Sequence, residues 1–263
     1  YFELTVGREI LMADGSEINA RNGEIHLLAD EDITISHLVG EWLVSVFSRD
    51  GSILDGGDSD PDIVSETADL TAWRFGDVGS AANPLDTDLD ELYGEAAGGF
   101  YVNNAGALDI TGDVIDAGGD VYIAVGGPLT VSEPITSNGT VTLSSTSTIS
   151  DGTAGVGGNL ITAGALRVTA GGAVDLTFDA DWLGTDTTMN NSPQFREAGG
   201  SVAVSDDGLD AGGGRITLGG GTFLTTPTGS ILSDTQVHSG ATLGGTGTIG
   251  GEAAVQAGGQ TAP

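Results

Sequence analysis

One acidic stretch is spaced as ligands are around a calcium ion. Asp58, Asp60, Asp62, Val64, Glu66 and Asp69 fall on positions 1, 3, 5, 7, 9 and 12 of an EF-hand-like loop. Alternating carboxylates suit Ca²⁺, a hard cation that takes about six to eight oxygen ligands. The match has departures. Ile63 stands where the sharp turn wants glycine, Pro61 stiffens the middle, and Asp69 reaches less far than the usual glutamate. The alternative reading is a solvated acidic loop. Calcium is the one cofactor this pattern suggests.

Three aromatics outside the apolar runs, Trp73, Phe75 and Trp182, can stack on sugar rings, which present C–H groups to a flat π-face. They can equally form the small cores of the segments that carry them. Asp206-Asp207, followed by Gly208, is the one acid pair of the kind that polysaccharide hydrolases use. The basic and histidine partners of such sites are missing from its surroundings, and the pair reads better as a turn ending a strand. His26, His37 and His238 have no metal-ligand spacing. The residues therefore point away from an enzyme.

Charge narrows the choice of partners. The net charge is −31, all seven basic residues are arginines, and cysteine is absent. So negative a surface repels nucleic acid and anionic membranes. The lack of lysine removes Schiff-base and Walker-type phosphate chemistry; the lack of cysteine removes disulfides and thiolate sites. Self-repulsion on this scale calls for screening by salt or divalent cations.

The elements that must position these residues are short. Ile25-His26-Leu27, Ile33-Thr34-Ile35, Val121-Tyr122-Ile123, Leu166-Arg167-Val168 and Ile216-Thr217-Leu218 alternate apolar and polar residues between Gly, Asn and Asp turns. Equivalent strands recur at coil length: Ile25 and Val44 are 19 residues apart, with another strand signal at Ile33 between them. A coil of about twenty residues holding two or three strands is a β-solenoid rung. Stacking such rungs makes a narrow core for Val, Ile, Leu, Ala and Thr, which accounts for 45 glycines and only 5% aromatics. The prediction is an all-β, right-handed parallel β-helix; the hand follows from the crossover rule. The competing all-β architecture is a sandwich with longer strands. Glycines are expected at corners needing positive φ.

Two segments interrupt the pattern. Rungs are expected over 1–54, 100–178 and 200–263, with an acidic insertion over 55–99 and a smaller one over 179–199. Nine Asp, three Glu and one Arg lie between Asp55 and Glu95. Within the acidic insertion, Asn83 as a cap, Pro84 at the first helical position, and Leu85, Leu89 and Leu92 on one face predict a short helix near 84–93. Insertions of this kind commonly carry a solenoid's binding function.

The final fifty residues carry a resemblance. Ser239-Gly240-Ala241-Thr242-Leu243-Gly244-Gly245-Thr246-Gly247-Thr248-Ile249-Gly250-Gly251 closely resembles the passenger-associated repeat of bacterial autotransporters, and Val255, Gly258-Gly259 and Ala262-Pro263 continue the match. Gly23 to Ser36 and Gly119 to Ser132 look like rungs of filamentous-haemagglutinin-type exoproteins. The resemblance implies a β-helical adhesin or surface rod exported across a Gram-negative outer membrane. Strand signals run from Phe2–Val6 to Val255 with no polar cap in view, so the chain is expected to be a segment of a larger exoprotein or a subunit that stacks end to end into a filament. Its expected partners are further rungs or copies of itself, and surface glycans or neighbouring cell surfaces. Neither nucleic acid nor direct membrane insertion is expected.

Overall fold

Alternation with a coil-length repeat leaves a strand one way to pair in parallel, which is with its equivalent one coil later. The computed structural model, which describes residues 1–57, 60–152, 161–184, 193–197, 201–204, 208–211 and 215–262, shows this pairing. All regular elements among the described residues are β-strands, and they stack in parallel as a β-solenoid. The chain divides into two compact units, one of Tyr1–Pro128 with Ile135–Gly139, the other of Leu129–Pro134 with Thr140–Pro263.

In the first unit, Phe2–Val6 pairs with Ile25–Ala29, which pairs with Leu43–Ser48; the ladder continues through Ile63–Ala72 and Leu85–Ala96 to Leu108–Ala117. The register sets Ile25, Val44, Ala68, Leu92 and Ile110 in one inward column, all without solvent exposure. Each large aliphatic buried this way contributes about 1.5–3 kcal/mol. The second unit repeats the plan, for example through Thr140–Ser145, Ile161–Ala170 and Val174–Gly184. Its core also holds Phe178 and Phe195, which meet edge to face with centroids 6.3 Å apart.

Polar groups at the corners are satisfied from coil to coil. The buried Asn104 accepts from Thr87 Oγ1 and Leu89 N (both 2.9 Å) and donates to Leu89 O (3.1 Å) and Ala107 O (3.0 Å). Ser48 donates to Glu31 O (2.9 Å) and accepts from Gly51 N (3.0 Å). Such fully paired buried groups fix the register, since each would cost about 1–3 kcal/mol if left unpaired.

The structure corrects three expectations. Residues 84–93 are not helical: Leu85–Ala96 is a strand with a polar step at Asp90-Glu91. Alternation before and after that step puts Leu85, Leu89 and Leu92 inward, at a spacing that mimics a helix face; Thr87, also inward, bonds Asn104. The stretch 55–99 is not an insertion, because Ile63–Ala72 and Leu85–Ala96 are strands of the stack with their charges on outward positions. In 179–199, residues 179–184 and 194–197 likewise belong to stacked strands; 185–192 and 198–200 lie outside the described residues. Glycines serve the corners in two ways: Gly15, Gly240 and Gly258 take the expected positive φ in turns, and others give room. A Cβ on Gly118 would sit 2.1 Å from Ala97 O, and one on Gly126 2.1 Å from Ala105 O, so adjacent backbones touch there.

Candidate functional site: an acidic face and an aromatic corner

The calcium-spaced carboxylates do not converge. Asp58 lies outside the described residues. Asp60 and Glu66 are exposed. Asp62 is buried at a corner, where its Oδ2 accepts from Asp86 N of the next coil at 3.0 Å. Asp69 lies half-buried on an outward face, accepting from Ser45 Oγ and Thr71 Oγ1, both at 3.4 Å. The separation follows from the strand: Ile63–Val64 pairs with Leu38–Val39, and Thr67–Ala72 with Leu43–Ser48, so Asp62 and Asp69 flank different ladders. Among the described residues, no three acidic or histidine side chains are placed to hold a cation together.

Asp69 instead joins an acidic groove of about 340 Å³, lined with Thr71, Tyr93, Glu95, Asp113 and Asp116. The groove exists because the ladder slips. Leu92 pairs with Ile110 but Gly94 pairs with Ile115, so Thr111–Val114 bulge out beside Tyr93. Gly112 permits this with φ +84°, and a Cβ there would lie 3.0 Å from the Tyr93 ring. Burial pushes the Asp69 carboxyl above its ordinary range; Ser45 and Thr71 pull it back, Asp113 adds to the rise and His26 opposes it. Burial raises the Tyr93 phenol too, with Asp69, Asp113 and Glu91 reinforcing it. Acid also stacks directly on acid, Glu91 beside Asp109 and Glu95 beside Asp116. Sequence reading passed over Tyr93 and Asp113; the Thr111-Gly112-Asp113 turn inside a strand pattern was the available signal.

The second cluster is an exposed corner. Trp73 is 48% and Phe75 79% exposed. Phe47 on the preceding coil backs Trp73, with ring centroids 6.1 Å apart at 55°. The Arg74 guanidinium stands 5.6 Å from the Trp73 ring centroid and 3.4 Å from Asp50; Arg49 pairs with Asp30 at 2.5 Å. Trp73 and Phe75 thus stand exposed two residues apart on one corner, where Phe47 and Arg74 contact Trp73 and Arg49 O accepts from Arg74 N; the sequence did not single out Phe47, Arg49 or Arg74. Trp182 belongs to the second unit, exposed between Ala165 and Ala203 of the flanking coils.

Asp206 and Asp207 lie outside the described residues. His26 contacts Glu24 at 3.1 Å and the Tyr1 ring at a centroid distance of 5.2 Å; His37 Nδ1 contacts Pro61 O at 2.5 Å. Comparison with family models, with curated proteins and with solved structures gave no match.

Proposed function

We propose that this chain is a structural and adhesive β-solenoid of the bacterial outer surface, exported and displayed either within a larger exoprotein or as a subunit stacking on copies of itself. The observation that carries the reading is the separation of labour along each strand. Inward columns hold consecutive coils in register, while outward columns vary from coil to coil without disturbing them. A scaffold of that kind presents surfaces at fixed intervals of about 4.8 Å per coil. The resemblance of Ser239–Gly251 to the autotransporter passenger repeat supports the export part of the proposal. Divalent cations act here by screening the acidic face, including the stacked pairs Glu91–Asp109 and Glu95–Asp116.

A second reading, a polysaccharide-binding or polysaccharide-degrading module, gains from the exposed Trp73–Phe75 corner; its binding half is compatible with adhesion. The test is retention of beads coated with the chain on bacterial cells, animal cells and polysaccharide films. Retention about tenfold above uncoated beads on at least one surface, with no release of reducing ends or unsaturated sugars, is the expected result. Beads that adhere to none of them overturn adhesion, and sugar release by the chain replaces display with catalysis.

A further inference from the structure

The corner carrying Trp73 and Phe75 changes length between coils. Ala97 N donates to Ala72 O, and Gly98 N to Gly76 O, both at 2.9 Å. Three residues, Trp73, Arg74 and Phe75, lie between the two acceptors, whereas the two donors are consecutive. The surplus has to project outward, and two of its three side chains are aromatic. Toward the preceding coil the projection is tied down: Trp73 N donates to Ser48 O at 2.9 Å and Arg74 N to Arg49 O at 3.2 Å. The result is a fixed aromatic ledge. Beside it, the next coils turn through the small residues Ala97-Gly98-Gly99 and Gly118-Gly119, with the Asp77 carboxylate against Gly98 and the Tyr101 ring against Gly99. The ledge thus adjoins a low shelf of small residues edged by Asp77 and Tyr101.

From this geometry we infer that the Trp73–Phe75 ledge is a binding site for neutral glycans, a pyranose ring lying on the aromatic faces above the Ala97–Gly118 shelf. The inference rests on the adhesive reading above and gives it a ligand class. A sugar ring has C–H faces that match an aromatic plane, and a rim of hydroxyls that needs donors and acceptors. Arg74 and Asp50 supply both within the same corner. The charge argument selects neutral sugars. Arg49 and Arg74 are each paired, with Asp30 and Asp50, so this corner offers no excess positive charge in a chain of net −31; uronates and sulfated glycans are repelled at long range. Pre-organisation helps as well, because Phe47 and Arg74 orient Trp73 before any ligand arrives.

The test is native affinity electrophoresis of the whole chain in gels containing hydroxyethyl cellulose, galactomannan or xyloglucan, with polygalacturonate as the anionic comparison. At least one neutral polymer is expected to retard the protein. Phe75→Ala and the double variant Trp73→Ala/Phe75→Ala are expected to weaken binding about tenfold or more, with Trp182→Ala within about twofold of the parent. Phe75 is exposed enough that its truncation leaves the fold intact, which a thermal melt by circular dichroism checks. The site is overturned by retardation in polygalacturonate alone, by none in any neutral gel, or by an unchanged Phe75→Ala. The bead assay keeps the two claims apart. Beads that adhere equally well with and without the ledge sink the site and leave adhesion standing; beads that never adhere sink adhesion itself. Adhesion that needs the ledge but ignores excess neutral polysaccharide indicates a protein partner and also overturns the glycan assignment.

Discussion

The acidic face of the first unit and the Arg196 cluster of the second treat acidic side chains on a parallel ladder in opposite ways. In the first, carboxylates are neighbours across coils: Glu91 beside Asp109, Glu95 beside Asp116, and Asp69 one coil from Tyr93 in a groove shared with Asp113. In the second, Arg196 reaches across the coils to Asp175 and Asp151 and donates its Nε to Thr177 Oγ1 at 3.0 Å. Like charges directly opposite one another on a sheet are destabilising, by up to about 1 kcal/mol per pair. The difference teaches that the inward columns stabilise the stack enough for its exterior to carry unfavourable charge. Acidity in the first unit is a surface property that the fold tolerates.

The contrast can be broken from the second unit. Arg196→Gln removes the cation held beside Asp175 and beside Asp151, whose side chain is only 6% exposed, and is expected to cost about 1–2 kcal/mol, the exposure of Arg196 itself moderating the loss. Urea titration reads this as a lower midpoint with an unchanged slope. A variant as stable as the parent would mean that the clamp neutralises nothing that matters. The next test removes the groove's half-buried acid. Because the folded chain holds the Asp69 proton to a higher pH than the ordinary value of 3.8, this group adds stability as pH falls through that window and withdraws it as pH rises. Asp69→Asn is therefore expected to melt above the parent at pH 7, with the gap closing toward pH 4. A gap that widens on acidification contradicts the assigned cause. The smallest effect sharpens the contrast from the first unit. Glu91→Gln keeps an acceptor for Thr67 Oγ1, at 3.1 Å in the parent, and removes the charge facing Asp109. It is expected to stabilise by about 0.2–1 kcal/mol in dilute buffer and by less in molar salt. Destabilisation at both salt levels would show that the stacked acids do not repel.

The alternation and the coil-length repeat were legible because each is written directly in residue types. Ile25 and Val44, matched by spacing, pair in the ladder. Charge hid the same pattern in residues 63–96, where outward acids obscured an intact inward series of Ile63, Ala68, Leu70, Leu85 and Leu89. The false helix arose from a corner step, which turns two phases of a period-two pattern into the spacing of a three-turn helix face. The cation loop failed for a related reason. Positions close in an EF-hand are close because the chain curls around the ion, whereas here the chain runs extended past a corner and separates Asp62 from Asp69. The groove and the ledge depend on how neighbouring coils differ in length, a relation between distant segments that no single stretch displays. The slip opposite Tyr93 and the surplus at Trp73–Phe75 are both of this kind.

The backbone contact at Gly118 sets a rule for engineering the chain. With Ala97 O 2.1 Å from where a methyl group would go, that position accepts neither a grafted peptide nor a mere alanine without prying two layers apart. The overhang ending at Phe75 already departs from the path of the next coil, so an added epitope or tag can leave the stack there as a branch, with the layers beneath still in contact.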